Sequence, residues 1–324
     1  MKIRKIAILG GTGFVGRTLA NHLTQEGYEL RVLTRNRERN RSNMILLPTL
    51  ELVETDIHDS NQLEKSLEGC DMVINLVGIL NERGRKGRGF EIVHVELVRS
   101  VLAACGKNNI KRLLHMSALN ADVNGPSYYL KTKGQAEQLI KESSEHGIKA
   151  TIFRPSVIFG PDDSFLNRFA GLLRMMPLVF PLACPNARFC PVYVGDVAMA
   201  FCHAINDPET YGRSYDLCGP DSYTLMELVT YVADLTGKKK IILPLSDWLS
   251  RLQAAVFDFV PGKPFSTDNY LSTKIDSVCS HNDLPLLGIS PVPLTSVAPM
   301  YLGGRTQRAN YYRYRSEVHR THTG

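Results

Sequence analysis

A tyrosine and a lysine four residues apart, Tyr129 and Lys133, have the types and spacing to carry out acid–base chemistry. On a helix, residues i and i+4 lie on one face, so the ammonium group would sit near the phenol. A phenol ordinarily has a pKa of about 10, and a fixed positive charge beside it lowers that pKa. The pair could therefore exchange a proton with a carbonyl or an alcohol near neutral pH.

Ser117 is a second candidate for the same chemistry, because it follows the segment 112–116, which is predicted to form a strand. Open parallel sheets bind their ligands at the carboxyl ends of their strands. The Ser117 hydroxyl could therefore donate a hydrogen bond to the substrate oxygen. Tyr129 and Lys133 alone would also fit an ordinary surface pair, but their combination with Ser117 and a glycine turn favours a catalytic site.

That glycine turn lies near the N-terminus, where Gly10, Gly13 and Gly16 separate an apolar run at 6–9 from a helical pattern that begins at Phe14. Strand, tight turn and helix in this order are typical of a dinucleotide-binding unit. Glycine allows the positive φ and the close backbone approach that a pyrophosphate requires, and the positive end of the helix attracts phosphate. An ordinary βα turn can carry the same glycines, so the prediction depends on its context.

Strand-like and helical segments alternate through the first half of the chain. The predicted strands are 6–9, 29–34, 50–54, 72–77, 112–116 and 150–153, and the predicted helices begin at 14 and cover 61–67, 91–106 and 129–145. This alternation predicts an α/β fold, a Rossmann-type doubly wound parallel sheet with right-handed crossovers.

The pattern changes after Pro155, where prolines interrupt a loop-rich stretch. Short strands at 192–194 and 215–218 follow, and the second of these is predicted to rejoin the main sheet. We expect a Rossmann domain at 1–155 that is rejoined by about 190–218, a smaller interleaved C-terminal α/β lobe at 156–304, and a basic, disordered tail at 305–324.

The end of the second strand, Thr34-Arg35-Asn36-Arg37, bears on the type of cofactor. NAD-binding proteins place an Asp or Glu there to hold the ribose 2′-hydroxyl, and this chain has no acid at that point. A guanidinium can hold a 2′-phosphate through two hydrogen bonds, whereas a carboxylate would repel it. We expect NADP(H) as the preferred cofactor, with Arg35 as the main residue that binds its 2′-phosphate, and NAD(H) as the alternative.

Composition argues against several classes of function. The net charge is +6, and +4 of it lies in 305–324, so the rest of the chain lacks the basic surface of a nucleic-acid-binding protein. Seven scattered cysteines form no C-x-x-C pair and predict no metal site; we expect reduced thiols in a cytoplasmic protein. An early strand argues against a signal peptide, and no apolar run reaches the ~20 residues of a transmembrane helix.

Two segments each allow two interpretations. The segment 245–260 has apolar residues on one helical face, which predicts a helix packed on the smaller lobe. A lid over a hydrophobic ligand, or a helix at a membrane surface, are the alternatives. The basic loop 82–89 follows the fourth strand; we expect a mobile, solvated loop, although its charge could attract an anionic substrate or partner. The tail could likewise contact acidic lipid or a partner protein.

Together these residues resemble the extended or atypical short-chain dehydrogenase/reductase superfamily, the group of the NAD-dependent epimerases and dehydratases, over roughly residues 1 to 235. The resemblance is carried by Gly10-Gly11-Thr12-Gly13-Phe14-Val15-Gly16, Asp56-Ile57, Asn75-Leu76-Val77-Gly78, Ser117, Tyr129 and Lys133. The stretches 153–169 (FRPSVIFGPDDSFLNRF) and 191–198 (PVYVGDVA) are similar to a narrower branch, that of the reductase-like accessory subunit of mitochondrial complex I and its bacterial relatives.

The resemblance implies roles for the matching positions. The cofactor pyrophosphate would be bound by Gly10, Thr12, Gly13, Phe14, Val15 and Gly16. Asp56 and Ile57 would flank the adenine; Leu76, Val77 and Gly78 would pass along the cofactor ribose; and Pro155, Ser156 and Val157 would lie near the nicotinamide. Lys133 would also hydrogen-bond the nicotinamide ribose. His94 stands where many family members carry an Asn in a proton relay, which puts that relay in doubt here and leaves a structural role as an equal alternative.

Two classes of function follow. As an enzyme, the protein would be an NADP(H)-dependent oxidoreductase in which Tyr129 is the acid/base, Lys133 its activator and Ser117 the donor to the substrate oxygen. Its substrate would be a hydrophobic carbonyl or alcohol related to a quinone or an isoprenoid; a sugar-nucleotide epimerase or dehydratase is the variant within this class. As a binding protein, it would be an accessory or assembly factor of a respiratory or ubiquinone-biosynthesis complex, peripheral on the cytoplasmic face of the inner membrane. The oligomeric state is not indicated.

Overall fold

The computed structural model describes residues 3–44, 47–176, 178–237 and 240–303. The tail predicted at 305–324 lies outside these residues. The strands are β1 (Lys5–Leu9), β2 (Glu29–Thr34), β3 (Leu50–Glu54), β4 (Met72–Asn75), β5 (Arg112–Met116), β6 (Lys149–Pro155), β7 (Ile158–Phe159), β8 (Val179–Leu182), β9 (Arg188–Phe189), β10 (Val192–Tyr193), β11 (Ser214–Leu217), β12 (Tyr223–Thr224) and β13 (Ile241–Pro244).

The α-helices are α1 (Phe14–Gln25), α2 (Arg37–Met44), α3 (Ser60–Leu67), α4 (Arg88–Phe90), α5 (Leu97–Lys107), α6 (Tyr128–Glu142), α7 (Leu166–Met175), α8 (Val194–Ala204), α9 (Leu225–Leu235), α10 (Asp247–Phe257), α11 (Thr267–Ser272) and α12 (Leu294–Leu302). A π-helix covers Glu91–Glu96, and 3₁₀-helices cover Ser143–His146, Pro208–Thr210 and Leu284–Leu287.

Seven parallel strands form the main sheet in the order β11-β6-β5-β4-β1-β2-β3. The order reverses between β1 and β4, which pair from Ile6 opposite Met72 to Leu9 opposite Asn75. Ligands of doubly wound sheets bind outside the carboxyl ends of the strands at such a reversal. The predicted Rossmann-type α/β fold is confirmed, and the reversal identifies the edge where a site is expected.

The central strands are mainly apolar because both faces of a parallel sheet are covered, and their polar residues are Asn75 in β4 and Arg112 and His115 in β5. Every residue of β4 and β5 is buried. On one face, Leu9, Val73 and Leu113 pack with apolar residues of α3, α5 and α6. Each fully buried large aliphatic side chain contributes roughly 1.5–3 kcal/mol. This core fixes the strand ends from which the candidate site residues project.

The chain divides into two compact units. The first comprises Met1–Pro155, Gly195–Leu217 and Asp283–Ile289, and the second comprises Ser156–Val194, Cys218–Asn282 and Ser290–Gly324. The first unit holds the seven-stranded sheet. The second holds the strand pairs β7–β10, β9–β12 and β8–β13, around a core to which α7, α9 and α12 contribute. The units are interleaved along the sequence.

The segment predicted as one helix at 91–106 has two parts in the structure. It begins as the π-helix Glu91–Glu96, which directly follows α4, and continues as α5. A π-turn contains more residues than an α-turn, and single π-turns are frequent at functional sites. The apolar spacing of the sequence does not reveal this change, and its consequence is the placement of His94.

The helix predicted at 245–260 is shorter, and its expected packing is wrong. α10 covers Asp247–Phe257, and its buried residues are Ser250 and Ala254. Trp248, Leu252 and Val256 are exposed instead. Two small residues form the contact with the unit, so the apolar stripe that the sequence suggested as the packed face points to solvent.

A disulfide joins Cys218 and Cys279, which corrects the expectation that all seven cysteines are reduced. The two residues are 61 positions apart, and no local spacing marks them as a pair. The free cysteines are Cys70, Cys105, Cys184, Cys190 and Cys202. Within the described ranges, no group of three or more His, Cys, Asp or Glu side chains could hold a metal ion. No helix in that part of the chain is long and apolar enough to cross a membrane.

Candidate active site

The glycine turn after β1 is built from close backbone contacts. Gly10 has a φ of 77°, in the left-handed region that favours glycine. A Cβ at Gly16 would lie 2.5 Å from the Gly10 carbonyl oxygen, because α1 packs directly on the turn. The Gly13 N–H closes the turn by donating to the Gly10 carbonyl over 3.0 Å. Larger residues at these positions would displace the start of α1.

The residues around this turn fit a dinucleotide pyrophosphate. Gly13 is exposed and is the N-cap of α1, and no side chain caps this helix. Thr12, Phe14 and Val15 are partly exposed beside it. The first turn of α1 contains no acidic residue, so no carboxylate opposes an anion at the helix N-terminus.

The predicted adenine and ribose contacts follow the carboxyl ends of β3 and β4. Asp56 is exposed, and Ile57 packs against the core of the first unit. Leu76 and Val77 are partly buried, and Gly78 is exposed. A Cβ at Gly78 would lie 3.2 Å from the Lys133 Nζ atom. Glycine at this position therefore leaves room beside the lysine at the edge of the sheet.

Arg35 directly follows β2 and is exposed. Within the described ranges no side chain forms a hydrogen bond or an ion pair with it, whereas its neighbours are engaged. Asn36 Oδ1 accepts from the Arg39 N–H, and Glu54 Oε2 accepts from the Arg37 N–H, each over 2.9 Å. The Arg35 guanidinium is therefore available to an anionic ligand at this edge.

The residues predicted to contact the nicotinamide lie where the chain passes from the first unit to the second. Pro155 ends β6 in the first unit, and Ser156 and Val157 begin the second. The Ser156 Oγ donates to the Ser277 carbonyl over 2.7 Å, and the Val157 carbonyl accepts from the Val192 N–H over 2.9 Å. These polar groups are engaged within the second unit, and their contact with a cofactor stays a prediction.

Lys133 is almost entirely buried, with 3% of its surface exposed. Its Nζ donates to the Met116 carbonyl at the end of β5 over 3.0 Å. Burial lowers the pKa of Lys133 to about 8, and the Glu137 carboxylate partly opposes this by favouring the ammonium form. Tyr129 lies one turn earlier on the same helix face. The lysine is thus held between α6 and the strand end that leads to Ser117.

Ser117 is bonded to a buried carboxylate that sequence reasoning missed. The Ser117 Oγ donates to Glu137 Oε1 over 2.6 Å, and the Arg154 Nε donates to the same oxygen over 2.8 Å. The Arg154 Nη2 binds the other carboxylate oxygen. An ionised carboxylate only accepts hydrogen bonds, so the hydroxyl hydrogen of Ser117 points at Glu137. To donate to a substrate oxygen, as predicted, that hydroxyl must turn away from Glu137.

The sequence indicates only weakly that Glu137 and Arg154 belong to the site. Glu137 lies four residues after Lys133 and eight after Tyr129, hence on the same face of α6. Arg154 is the charged residue in the otherwise apolar end of β6. A charged pair with this placement indicates a buried site, but only the packing of α6 on the sheet shows that Ser117 joins it.

Tyr129 lies in a cluster of rings. It meets Phe90 and His94 edge-on, with ring centroids 6.1 Å and 5.6 Å away. Phe90 is fully buried at the end of α4, and His94 is buried on the π-helix. The Tyr129 ring is half-buried. Rigid neighbours of this kind fix the direction of a phenol.

His94 is buried, and both of its ring nitrogens have hydrogen-bond partners. Its Nε2 accepts from the Ile79 N–H over 3.2 Å, and its Nδ1 lies 2.9 Å from the Thr132 Oγ1. The Thr132 hydroxyl donates to the Tyr128 carbonyl, so the imidazole hydrogen is on Nδ1. Burial, helped by Lys133, lowers the pKa of His94 to about 2. His94 therefore joins the loop after β4 to α6, which supports the structural role that the sequence allowed.

His115, two residues before Ser117 on β5, is a second buried imidazole that sequence reasoning missed. Neither ring nitrogen has a hydrogen-bond partner among the described residues. Burial, with Lys133 acting in the same direction, lowers the pKa of His115 well below its usual range. His115 thus adds a second neutral ring near the lysine, and no spacing in the sequence distinguishes it from a core histidine.

The basic loop 82–89 is organised around an acid. The carboxylate of buried Glu82 accepts from the Gly87 N–H over 2.7 Å and from the Gly89 N–H over 2.8 Å. Gly87 has a φ of 78°, and a Cβ there would lie 2.4 Å from the Tyr128 ring. The exposed basic residues are Arg83, Arg85, Lys86 and Arg88. Hydrogen bonds to Glu82 therefore hold the loop in a defined turn that contacts the start of α6, and part of the loop is buried rather than exposed to solvent.

Comparisons with known proteins agree with this geometry. The model of the NAD dependent epimerase/dehydratase family matches residues 6–218. The mouse protein NADH dehydrogenase (ubiquinone) 1 alpha subcomplex subunit 9, mitochondrial, is 31% identical over 295 residues, which are 89% of this chain and 76% of the relative. Ceramide reductase of Caulobacter vibrioides is 27% identical over 245 residues, 75% of this chain and 74% of the relative.

The fold is also found among solved structures. The crystal structure of gox2253 has a TM-score of 0.74 to this chain, with 20% identity, and covers 97% of this chain and 99% of its own. At this identity the likeness shows the fold alone. With the family model and the complex I relative, it confirms the resemblance that the sequence predicted.

Proposed function

We propose that the chain, which belongs to the NAD dependent epimerase/dehydratase family, is an NADP(H)-dependent oxidoreductase that acts on a hydrophobic carbonyl or alcohol. In this proposal Tyr129 is the acid/base, Lys133 activates it, and Ser117 contacts the substrate oxygen. The observation that carries the proposal is the placement of Lys133, which is buried one turn after Tyr129 and is anchored at the end of β5. Burying a lysine lowers stability unless its charge is fully paired, so a lysine at such a position is expected where its charge has a function.

The cofactor, when bound, supplies or accepts a hydride. The glycine turn at Gly10–Gly16 would hold its pyrophosphate, and Lys133 would hold its ribose. Tyr129 would donate a proton to the substrate oxygen during reduction and take it back during oxidation. The Lys133 ammonium stabilises the phenolate that this transfer leaves behind. Because Ser117 donates to Glu137, its Oγ can accept a hydrogen bond from a substrate alcohol without further change.

A pair of adjacent tyrosines allows a matched test of the acid/base. Tyr129→Phe should bind NADPH with unchanged affinity but lose turnover by about 10²-fold or more. Tyr128→Phe removes the neighbouring, exposed hydroxyl and should leave both unchanged. We would follow NADPH oxidation with farnesal, a short-chain ubiquinone and a long-chain ketone as probes. Turnover retained by Tyr129→Phe would contradict the assignment.

NADP(H) preference rests on Arg35, which is exposed and engaged by no described side chain. A guanidinium that contacts a 2′-phosphate in two hydrogen bonds contributes about 1.5–3 kcal/mol. Arg35→Ala should therefore weaken NADPH binding by about 10- to 100-fold and leave NADH binding nearly unchanged. Arg99→Ala, at an exposed position on α5, is the control. NADH binding as tight as NADPH binding in the native protein would reject the preference.

The hydrophobic nature of the substrate is supported by the similarity to ceramide reductase, whose name describes an enzyme that acts on a lipid. A UDP-sugar, added as a further probe, separates this proposal from the epimerase or dehydratase variant. A nucleotide-sugar epimerase would keep its cofactor bound through the cycle and would convert a UDP-sugar without net NADPH consumption. Conversion of a UDP-sugar would therefore replace the reductase proposal.

A second candidate function is that of an accessory or assembly factor of a respiratory complex, in which the nucleotide is a fixed ligand. The observation that favours it is the 31% identity to a complex I subunit along 89% of the chain. The native protein, tagged and expressed in its own cells, should then co-purify with complex I subunits from solubilised membranes. In addition, Tyr129→Phe should sustain complex I activity as well as the native chain does.

A further inference from the structure

Large apolar side chains of the second unit are exposed to solvent, and the functions proposed above do not use them. They are Met175, Leu178, Val179, Ile241, Leu243, Trp248, Leu252, Val256 and Phe259, and we term them the outer apolar face. Isolated exposed apolar residues are common, but a set drawn from elements that contact one another marks a surface that binds something.

The first part of the outer apolar face is the strand pair β8–β13. The register pairs Val179 with Ile241 and Pro181 with Leu243, so these four side chains share one side of the pair. Three of them are exposed, and Pro181 is partly exposed. Phe180, between the outward residues, packs into the core of the unit instead. The pair is therefore apolar on both sides, although only one side is covered.

The second part is α10, which directly follows β13 and is seated beside β8. The Gln253 Nε2 donates to the Pro181 carbonyl over 3.4 Å, and the Cys184 N–H donates to the Ser250 Oγ over 3.0 Å. Ser250 and Ala254 are the buried residues of the helix. The helix thus contacts the unit through small side chains on one side.

The opposite side of α10 is a continuous apolar stripe. Trp248, Leu252, Val256 and, just beyond the helix, Phe259 follow one another at spacings of four, four and three residues. Trp248 is 66% exposed and Phe259 is 74% exposed. Two bulky aromatic rings at the two ends of a short exposed helix are unfavourable in water and favourable at the boundary between water and lipid.

The charges around the outer apolar face are mainly basic. Arg174 immediately precedes Met175, Lys240 immediately precedes Ile241, and Arg251 lies next to the apolar stripe of α10. The acids of this helix region are engaged elsewhere: Asp247 pairs with Lys274, and the Asp258 carboxylate accepts from Thr267. The face therefore presents apolar side chains with a positive border.

We propose that the outer apolar face docks the protein on the surface of an anionic lipid bilayer, with α10 lying in the plane of the interface. An interfacial helix combines an apolar face, bulky aromatic anchors and basic flanks. Anionic headgroups attract the basic border, and the apolar side chains enter the boundary between headgroups and acyl chains. At 11 residues, α10 can lie in an interface but is too short to span it. This placement is independent of whether the bound cofactor turns over.

The single tryptophan of the chain makes the proposal directly measurable, because Trp248 lies at one end of the apolar stripe of α10. The full chain is mixed with vesicles of phosphatidylcholine alone or of phosphatidylcholine with phosphatidylglycerol. We expect the Trp248 emission to shift to shorter wavelength, and to be quenched by brominated lipid, with the anionic vesicles only. High salt should weaken the effect. Unchanged emission together with no co-sedimentation would overturn the proposal.

Variants test which side chains insert. Trp248→Ser combined with Phe259→Ser should lower co-sedimentation with anionic vesicles by about tenfold or more. Arg251→Glu should lower it without changing binding at high salt. Leu286→Ser, at an equally exposed leucine of the first unit, is the control and should bind like the native chain. All these residues are exposed, so thermal unfolding should be unchanged; vesicle binding that the double variant retains would overturn the proposal.

Other occupants of the face give different results. A blue shift without vesicles that grows with protein concentration, in parallel with dimer formation, would assign the face to a second copy of the chain. Binding to native membranes but not to protein-free vesicles would assign it to a protein partner. Either result overturns the lipid proposal. Tyr129→Phe should bind vesicles like the native chain, so failure of the reductase proposal and failure of the docking proposal are distinguishable.

Discussion

Replacing Lys133 by Met should make the protein more stable while removing its activity. The pKa of Lys133 is lowered from 10.5 to about 8, mainly by burial. Each unit of pKa is 1.36 kcal/mol, so the buried ammonium destabilises the native state by about 3 kcal/mol wherever both the native and the unfolded chain carry the proton. Met fills a similar volume without a charge.

The net gain is smaller, because Lys133→Met also removes the hydrogen bond to the Met116 carbonyl, which contributes about 1 kcal/mol. We therefore expect Lys133→Met to raise the free energy of unfolding by about 2 kcal/mol near pH 7. Stability rises with pH where the unfolded chain binds more protons than the native one, here between the native pKa of about 8 and the ordinary value of 10.5. The advantage of the variant should thus shrink above pH 8 and disappear near pH 10.

Urea unfolding followed by circular dichroism, at about pH 7 and about pH 10, measures both quantities. Lys131→Met is the matched control, because Lys131 is exposed on the same helix, and it should change stability by less than about 0.5 kcal/mol at either pH. A Lys133→Met protein that is less stable than the native one near pH 7, or a difference that does not change with pH, would refute the reasoning. The lysine would then act mainly as a tether between α6 and β5.

Three further changes test the surroundings of the site. Gly16→Ala should destabilise the protein by about 1–3 kcal/mol and weaken NADPH binding, because the added Cβ would meet the Gly10 oxygen. NADPH titration and thermal unfolding measure the two effects. The control is Gly171→Ala, whose Cβ has open space on α7; this variant should bind NADPH normally and be as stable as the native protein or more stable. Glu137→Gln should lower the unfolding free energy by about 2–3 kcal/mol in urea, and should move the loss of the Lys133 proton below pH 8, visible in the pH dependence of turnover. Glu82→Gln should speed amide hydrogen exchange at 82–89 while changing global stability by about 1–2 kcal/mol at most. The reason is that Gln has one accepting oxygen, whereas the two carboxylate oxygens of Glu82 accept from the Gly87 and Gly89 N–H groups. Unchanged exchange would show that the loop holds its shape without the acid.

The sheet could be predicted from the sequence because its signals are local. Short apolar runs lie within β1, β2, β4 and β5, as buried parallel strands require, and the glycine turn marks the start of α1. Predicted strand ends at residues 9, 34, 54 and 116 match the structure. The residues that follow these ends meet at one edge by topology alone, so their proximity could be inferred without coordinates.

The remainder depends on contacts between distant parts of the chain. The pair Glu137–Arg154 forms only when α6 packs on β6, and the disulfide partners are 61 residues apart. The apolar stripe of α10 has the spacing of a packed helix, but Ser250 and Ala254 make the contact instead. Periodicity identifies a face as apolar and cannot say whether protein or another phase covers it.

The two buried charged residues of α6, Lys133 and Glu137, bear on the choice between an enzyme and an accessory protein. The glycine turn and Arg35 would bind the phosphates of a nucleotide, and the contact assigned to Lys133, a hydrogen bond to the ribose, does not require a buried charge. A buried ammonium of lowered pKa next to a paired Glu137 reduces stability by a sizeable part of the 5–15 kcal/mol typical of a folded domain. A side chain with that effect is expected where its charge acts on a reacting group, since an apolar residue would otherwise serve better. If Lys133→Met is more stable and does not turn over substrate even at saturating NADPH, the lysine is there for chemistry. If the variant binds NADPH more weakly but turns over substrate at saturating NADPH, the lysine serves to hold the cofactor, as the accessory function requires.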